Sequence, residues 1–223
     1  MKKILLVPLT LFLCSFTPRM GTYGTVGITM YSYTEYTSSG ATSYGIGHSF
    51  ILLENNRSRS LDLGYYSLPP FEKCTLGLWG NDGEYDTPLD SDLEVGEDGI
   101  FYNREAYVFT HEYADPSDMV KLYREVPVGD FLTRISNFRN SKLNYLQYND
   151  EQYALIGYNC SNFAAEFFAI STQMNFVGIV SPATLRSAII NAGGSSAVAS
   201  NEIFETNLYW RYTDNDTCYT YPN

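Results

Sequence analysis

The stretch Tyr158–Phe168, "YNCSNFAAEFF", sets a cysteine between two asparagines and then turns apolar at helical spacing. Phe163, Phe167 and Ile170 recur four and three residues apart, the repeat of one helix face. Asn159 is a strong N-cap type, so Cys160 is expected as the first helical residue. Its sulfur would then sit at the positive end of the helix dipole, beside backbone N–H groups that have no partner within the helix. Such a position draws a cysteine pKa down from about 8.5 and favours the thiolate. The same N–H groups are placed to hold an oxyanion. The competing reading is a buried core cysteine under Phe163 and Phe167, since cysteine is among the most buried residue types.

A nucleophilic thiol needs a base, and the chain has two histidines, His48 and His111. His48 opens a β-branched and apolar run directly after "YGIG", where glycines leave room for a close approach. His111 lies in "THEYADP" among turn formers and is expected in a solvated loop. His48 is therefore the candidate base.

Outward from these two residues, the first half reads as strands. Thr22–Tyr36 alternates β-branched and aromatic residues, and His48–Leu53 with Ser58–Tyr65 reads as a hairpin about Asn55-Asn56. Short strands are expected at Lys73–Trp79 and Phe101–Thr110. Many of the 20 tyrosines fall in these alternating runs, where strand propensity accounts for them. Helical spacing begins in the second half, with Val120 and Tyr123, then Phe131, Ile135 and Phe138, then the cysteine helix. Ser181-Pro182 and Gly193-Gly194 bracket a last helix with start and stop signals. Strands followed by helices argue an α+β fold.

The pair "GHSFILLEN" and, much later, "YNCSNFAAEFF" resembles the permuted branch of the NlpC-type papain-like cysteine hydrolases, with a distant relation to lecithin:retinol acyltransferase-like proteins. In that branch the histidine strand precedes the cysteine helix. The fuller string, with "LDLGYY", "LGLWGN", "DGIFYNREAY" and "SPATL", resembles exported bacterial members, over about Gly47 to Ile190. The resemblance implies an antiparallel sheet or half-barrel packed against the cysteine-bearing helix, with Cys160 as nucleophile and His48 as general base. It also implies a polar residue, after the histidine, that orients the imidazole. Family spacing points to Ser60; Asp62, its same-face neighbour, is the chemically better partner for an imidazolium and is favoured here.

Lys2 and Lys3 before the apolar run Ile4–Leu13 have the layout of a signal peptide, too short for a membrane span, so residues 1–20 are expected as a leader and 21–223 as one domain. Export follows, to the medium or the cell envelope, with membrane contact only through an uncleaved leader. Cys74 and Cys218 would suit an oxidising compartment as a disulfide worth about 2–4 kcal/mol, or stand as two buried thiols. The net charge of −11, with no basic run after the leader, excludes nucleic acid as a partner. The insert at about 81–99 is strongly acidic, but Val95 stands where a calcium loop needs glycine, so a solvated loop is expected. No zinc-ligand spacing or phosphate loop is present, so no metal and no cofactor are expected.

Three functions follow. The first is a thiol hydrolase that cleaves an amide bond in a peptide or peptidoglycan-like substrate through a Cys160 acyl-enzyme. The second is an acyltransferase or thioesterase acting on lipid acyl groups. The third is a non-catalytic cell-envelope binding module that retains the fold.

Overall fold

A computed structural model describes residues 24–34, 36–38, 41–43, 47–64, 66–79, 99–111, 115–143 and 158–206. The expected leader, most of the acidic insert and Cys218 lie outside them. Strands β1 (Thr25–Tyr33), β4 (His48–Asn56), β7 (Lys73–Trp79), β8 (Gly99–Tyr102), β10 (Val120–Pro127) and β11 (Ser195–Ser196) form one antiparallel sheet in the order β11-β10-β1-β4-β7-β8. Short strands β2 (Tyr36–Ser38), β3 (Ala41–Ser43) and β9 (Asp115–Pro116) make a second sheet, and β5 (Leu61–Asp62) pairs with β6 (Ser67–Leu68). The helices are α1 (Arg104–His111), α2 (Val128–Phe138) with a π-helical extension Arg139–Leu143, α3 (Cys160–Thr172), α4 (Pro182–Asn191) and α5 (Ala199–Glu202). The architecture is mixed α+β, built on an antiparallel sheet.

Strand alternation sorts the two faces of that sheet. Val26, Ile28 and Met30 of β1 with Ile51 and Leu53 of β4 meet Phe131, Ile135, Phe163, Phe167 and Leu185 of α2, α3 and α4 in the larger core. Tyr31, Tyr33, Phe50 and Leu52 point the other way, toward Phe109 of α1 and Ala199 of α5. The central strands are thus buried on both sides, which is why β1 is covered along nearly its whole length despite its polar serine and threonine.

Three expectations are corrected. His48–Leu53 and Ser58–Tyr65 do not form a hairpin: β4 continues to Asn56 and is flanked by β1 and β7. The reason is Asn55, which is fully buried and donates its side-chain amide to the carbonyls of Arg59, Leu68 and Pro69 rather than forming a turn. Phe101–Thr110 is not one strand, because Asn103 adopts a left-handed φ of 65° and the chain passes from β8 into α1. Val120 and Tyr123 belong to a strand, β10, not to a helix. Cys74 is a free thiol in the sealed core, where burial pushes its pKa upward, so the described residues show no disulfide.

Candidate active site

Asn159 caps α3 with extended backbone, and its side-chain oxygen accepts from the N–H groups of Ser161 and Asn162 while Asn162 Oδ1 accepts from Asn159 N–H. This reciprocal capping box fixes Cys160 as the first residue of a 13-residue helix. The side-chain amides of Asn159 and Asn162 donate to the carbonyls of Val180 and Ile179, tying the helix start to the segment that leads into α4. The expectation that the first N–H groups of the helix hold an oxyanion is corrected for two of them, since those of Ser161 and Asn162 are used by the cap.

His48 is the first residue of β4, so its ring lies at the end of the sheet where the layer carrying α3 meets the layer carrying α1. There it faces Cys160, and the two side chains interact electrostatically. His48 Nε2 stands 3.1 Å from Glu105 Oε1. The three residues are largely buried: His48 is 7% exposed, Cys160 2% and Glu105 1%. Burial disfavours both charged forms, yet the attraction between the two side chains outweighs it. The Cys160 pKa is lowered, helped by the Ser49 backbone N–H and the Ser161 hydroxyl, and that of His48 is pushed up to about 9, helped by Glu105.

Glu105 is the residue that sequence reasoning missed. The expected orienting residues lie elsewhere: the Asp62 side chain is 66% exposed, accepts from Gly64 N–H and pairs with Arg139 at 3.0 Å, and Ser60 is an exposed residue before β5. Both follow β4 after its end, where the chain has turned away into the small β5–β6 sheet, so neither stands beside the ring. Glu105 arrives instead from the second position of α1. The signal for it was present in "YNREAY", an asparagine cap type followed by helix formers, but the flanking aromatic run read as strand. His111 closes α1 rather than lying in a loop.

The carboxyl group is held on two sides. Trp79 Nε1 donates to the same Oε1 at 2.8 Å, and the indole packs on the imidazole with ring centroids 4.3 Å apart. The Arg104 guanidinium lies 4.3 Å from the centre of the Trp79 ring, a cation–π contact. Space for the carboxyl comes from Gly77: a Cβ there would sit 1.7 Å from Glu105 Oε1. A separate groove of about 380 Å³ runs along the outer side of α3, between Glu166 and Phe176, and has neither Cys160 nor His48 in its lining.

The described residues bring together a thiol, an imidazole and a carboxyl group, the last two hydrogen-bonded, and they hold no cluster of side chains suited to a metal ion. No family model, no curated protein and no solved structure matches the chain.

Proposed function

We propose that the protein is a thiol hydrolase that cleaves an amide bond, of the permuted papain-like type, with Cys160 as nucleophile, His48 as general acid and base, and Glu105 as the residue that orients the imidazole. The observation that carries this reading is the line Cys160–His48–Glu105, with the thiol at the capped start of a helix and its pKa lowered beside an imidazole whose pKa is raised. A core cysteine would have the opposite shift, as Cys74 does. The order of histidine strand before cysteine helix, with the helix packed on an antiparallel sheet, supports the permuted arrangement.

In this reading the Cys160 thiolate attacks the amide carbonyl carbon, and the protonated His48 delivers its proton to the nitrogen as the C–N bond breaks. The amine leaves and the acyl group stays on sulfur as a thioester. The now neutral His48 takes a proton from water, the resulting hydroxide attacks the thioester carbonyl, and the acid product departs. Cys160 is again a thiolate and His48 again protonated. Glu105 fixes which ring nitrogen faces sulfur and stabilises the imidazolium without giving up a bond of its own. The leader-like first residues are consistent with a substrate outside the cytoplasm.

The test is digestion of purified peptidoglycan and of a peptide library by the protein and by Cys160→Ala, with new amino and carboxyl ends found by mass spectrometry. Ends produced only by the unaltered protein support an amide hydrolase. Transfer from thioester or lipid acyl donors with no amide cleavage would replace it by the acyl-transfer reading, and no turnover of either class would leave a binding module.

A further inference from the structure

Beside the thiol, three buried serines form a continuous line. Ser32 of β1 and Ser49 of β4 are register partners, both fully buried on the face that carries α3 and α4. Ser32 Oγ donates to the Pro182 carbonyl at 2.8 Å and lies 2.8 Å from Ser49 Oγ. Ser49 Oγ lies 3.2 Å from Ser161 Oγ, which in turn lies 3.8 Å from Cys160 Sγ. Four contacts therefore join a helix carbonyl at one end to the reactive sulfur at the other, and three hydroxyl protons serve them.

Each hydroxyl can donate only one proton. When Ser32 donates to Pro182, Ser49 must donate to Ser32 and Ser161 to Ser49, so the line points away from sulfur and offers the thiolate no hydroxyl donor. For Ser161 to donate to sulfur with every serine–serine contact kept, the whole line must turn: Ser161 to sulfur, Ser49 to Ser161, Ser32 to Ser49. The contact given up is then the one to Pro182, whose carbonyl heads α4 and belongs to that helix's own ladder.

We propose that Ser32, Ser49 and Ser161 are positioning residues that act as a reversible hydroxyl relay, in which the Pro182 carbonyl and the Cys160 sulfur compete for the same protons. Charging the thiol turns the relay toward sulfur, and the Pro182 carbonyl is the brake on that turn. No proton is transferred along it; each hydroxyl only rotates. The titratable groups that face the thiol are His48 on β4 and, through it, Glu105 on α1; β1, α3 and α4 contribute Ser32, Ser161 and the Pro182 carbonyl, none of which titrates. The relay deepens the thiol-hydrolase reading and takes its functional meaning from it, but its test needs no substrate.

The two ends of the relay carry opposite signs, which a merely structural role would not produce. Ser161→Ala removes the donor and should raise the thiolate pKa of Cys160 by about one unit, a roughly tenfold smaller acid dissociation constant. Ser32→Ala removes the brake and should lower that pKa, with an increase of about threefold to tenfold in the constant. Ser49→Ala also severs Ser161 from the Pro182 carbonyl and should share the sign of Ser32→Ala, which keeps the test alive if Ser32→Ala fails to fold. The readout is the pH dependence of thiolate absorbance near ~240 nm, as a difference from the same variant carrying Cys160→Ala. A rise for Ser161→Ala with a fall for Ser32→Ala or Ser49→Ala supports the relay. Shifts of one sign throughout, or no shift in Ser161→Ala, overturn it and leave the nucleophile assignment standing; absence of any Cys160 thiolate in the unaltered protein overturns both.

Discussion

Glu105 Oε1 lies 3.1 Å from His48 Nε2 and 2.8 Å from Trp79 Nε1, so one carboxylate oxygen anchors both the imidazole and the indole packed on it. Its other oxygen is buried and accepts no hydrogen bond among the described residues. Orientation of the base thus depends on a single acceptor atom. Glu105→Gln should cut turnover, and the rate of Cys160 alkylation at neutral pH, by at least about a hundredfold, because a neutral amide stabilises an imidazolium poorly and can present N–H to it. Asp62→Asn should change neither rate by more than about twofold, since its partner Arg139 forms an exposed pair of little net energy. Equal losses in both variants would return the orienting role to the β5 region.

A second prediction concerns Gly77. An added methyl would meet Glu105 Oε1 at 1.7 Å and approach His48 Nε2 at 3.3 Å, and the strand that bears it is held between β4 and β8. Gly77→Ala should destabilise the fold by about 1–3 kcal/mol in denaturant titration and raise the thiolate pKa by displacing the carboxyl group. Unchanged stability and unchanged thiolate pKa would mean that Glu105 is not held where it is described.

How much of this the sequence disclosed depended on the range of the interactions. The α3 start was legible because its determinants are local: Asn159, Cys160, Asn162 and the Phe163–Phe167 stripe lie within a few residues. The Ser181-Pro182 helix was legible for the same reason. The pairing of His48 with Cys160 followed from the resemblance and from the scarcity of histidines. Asn55 misled because a turn former was conscripted by tertiary hydrogen bonds, and Val120–Tyr123 because a spacing of three reads as one helix face, whereas in β10 it puts Tyr123 on the side opposite the buried Val120. Glu105 was hidden by range: it reaches His48 across a β8–α1 turn that only the left-handed Asn103 creates. The serine line was equally hidden, since it joins residues from β1, β4 and α3 that share no sequence pattern.

The third prediction is a pH profile. The His48 pKa is raised from 6.5 to about 9, so its contribution to stability is complete below 6.5 and is lost as pH rises through about 9. The Cys160 pKa is lowered from 9.0, so its contribution is complete above 9.0 and is lost as pH falls through the folded value. At pH values above both 6.5 and the folded Cys160 value, and below about 9, the folded pair, thiolate and imidazolium, and the unfolded pair, thiol and imidazole, carry the same number of protons. Their contribution to stability should therefore be flat across that window and decline on either side, and the difference from Cys160→Ala in denaturant titrations will show it. A steady slope through the window would rule out the ion pair. Turnover should fall above about pH 9 in step with loss of the imidazolium that protonates the leaving amine.

The fourth prediction is non-additivity. Cys160→Ala and His48→Ala should each remove nearly all turnover, and the double variant should lose little more, because the two groups perform one step together. Losses that multiply would mean that they act separately.

The central claim, that Cys160 is a thiolate activated by His48 in the folded protein, is tested most directly by alkylation. The folded protein would be treated with iodoacetamide at pH 6.5 and labelling of each cysteine followed by mass spectrometry, alongside His48→Ala. The account predicts that Cys160 is labelled at least about tenfold faster than an unperturbed thiol at that pH, that Cys74 is untouched, and that the advantage of Cys160 vanishes in His48→Ala. Labelling of Cys160 at the rate of an ordinary thiol, or a rate indifferent to His48, would contradict it.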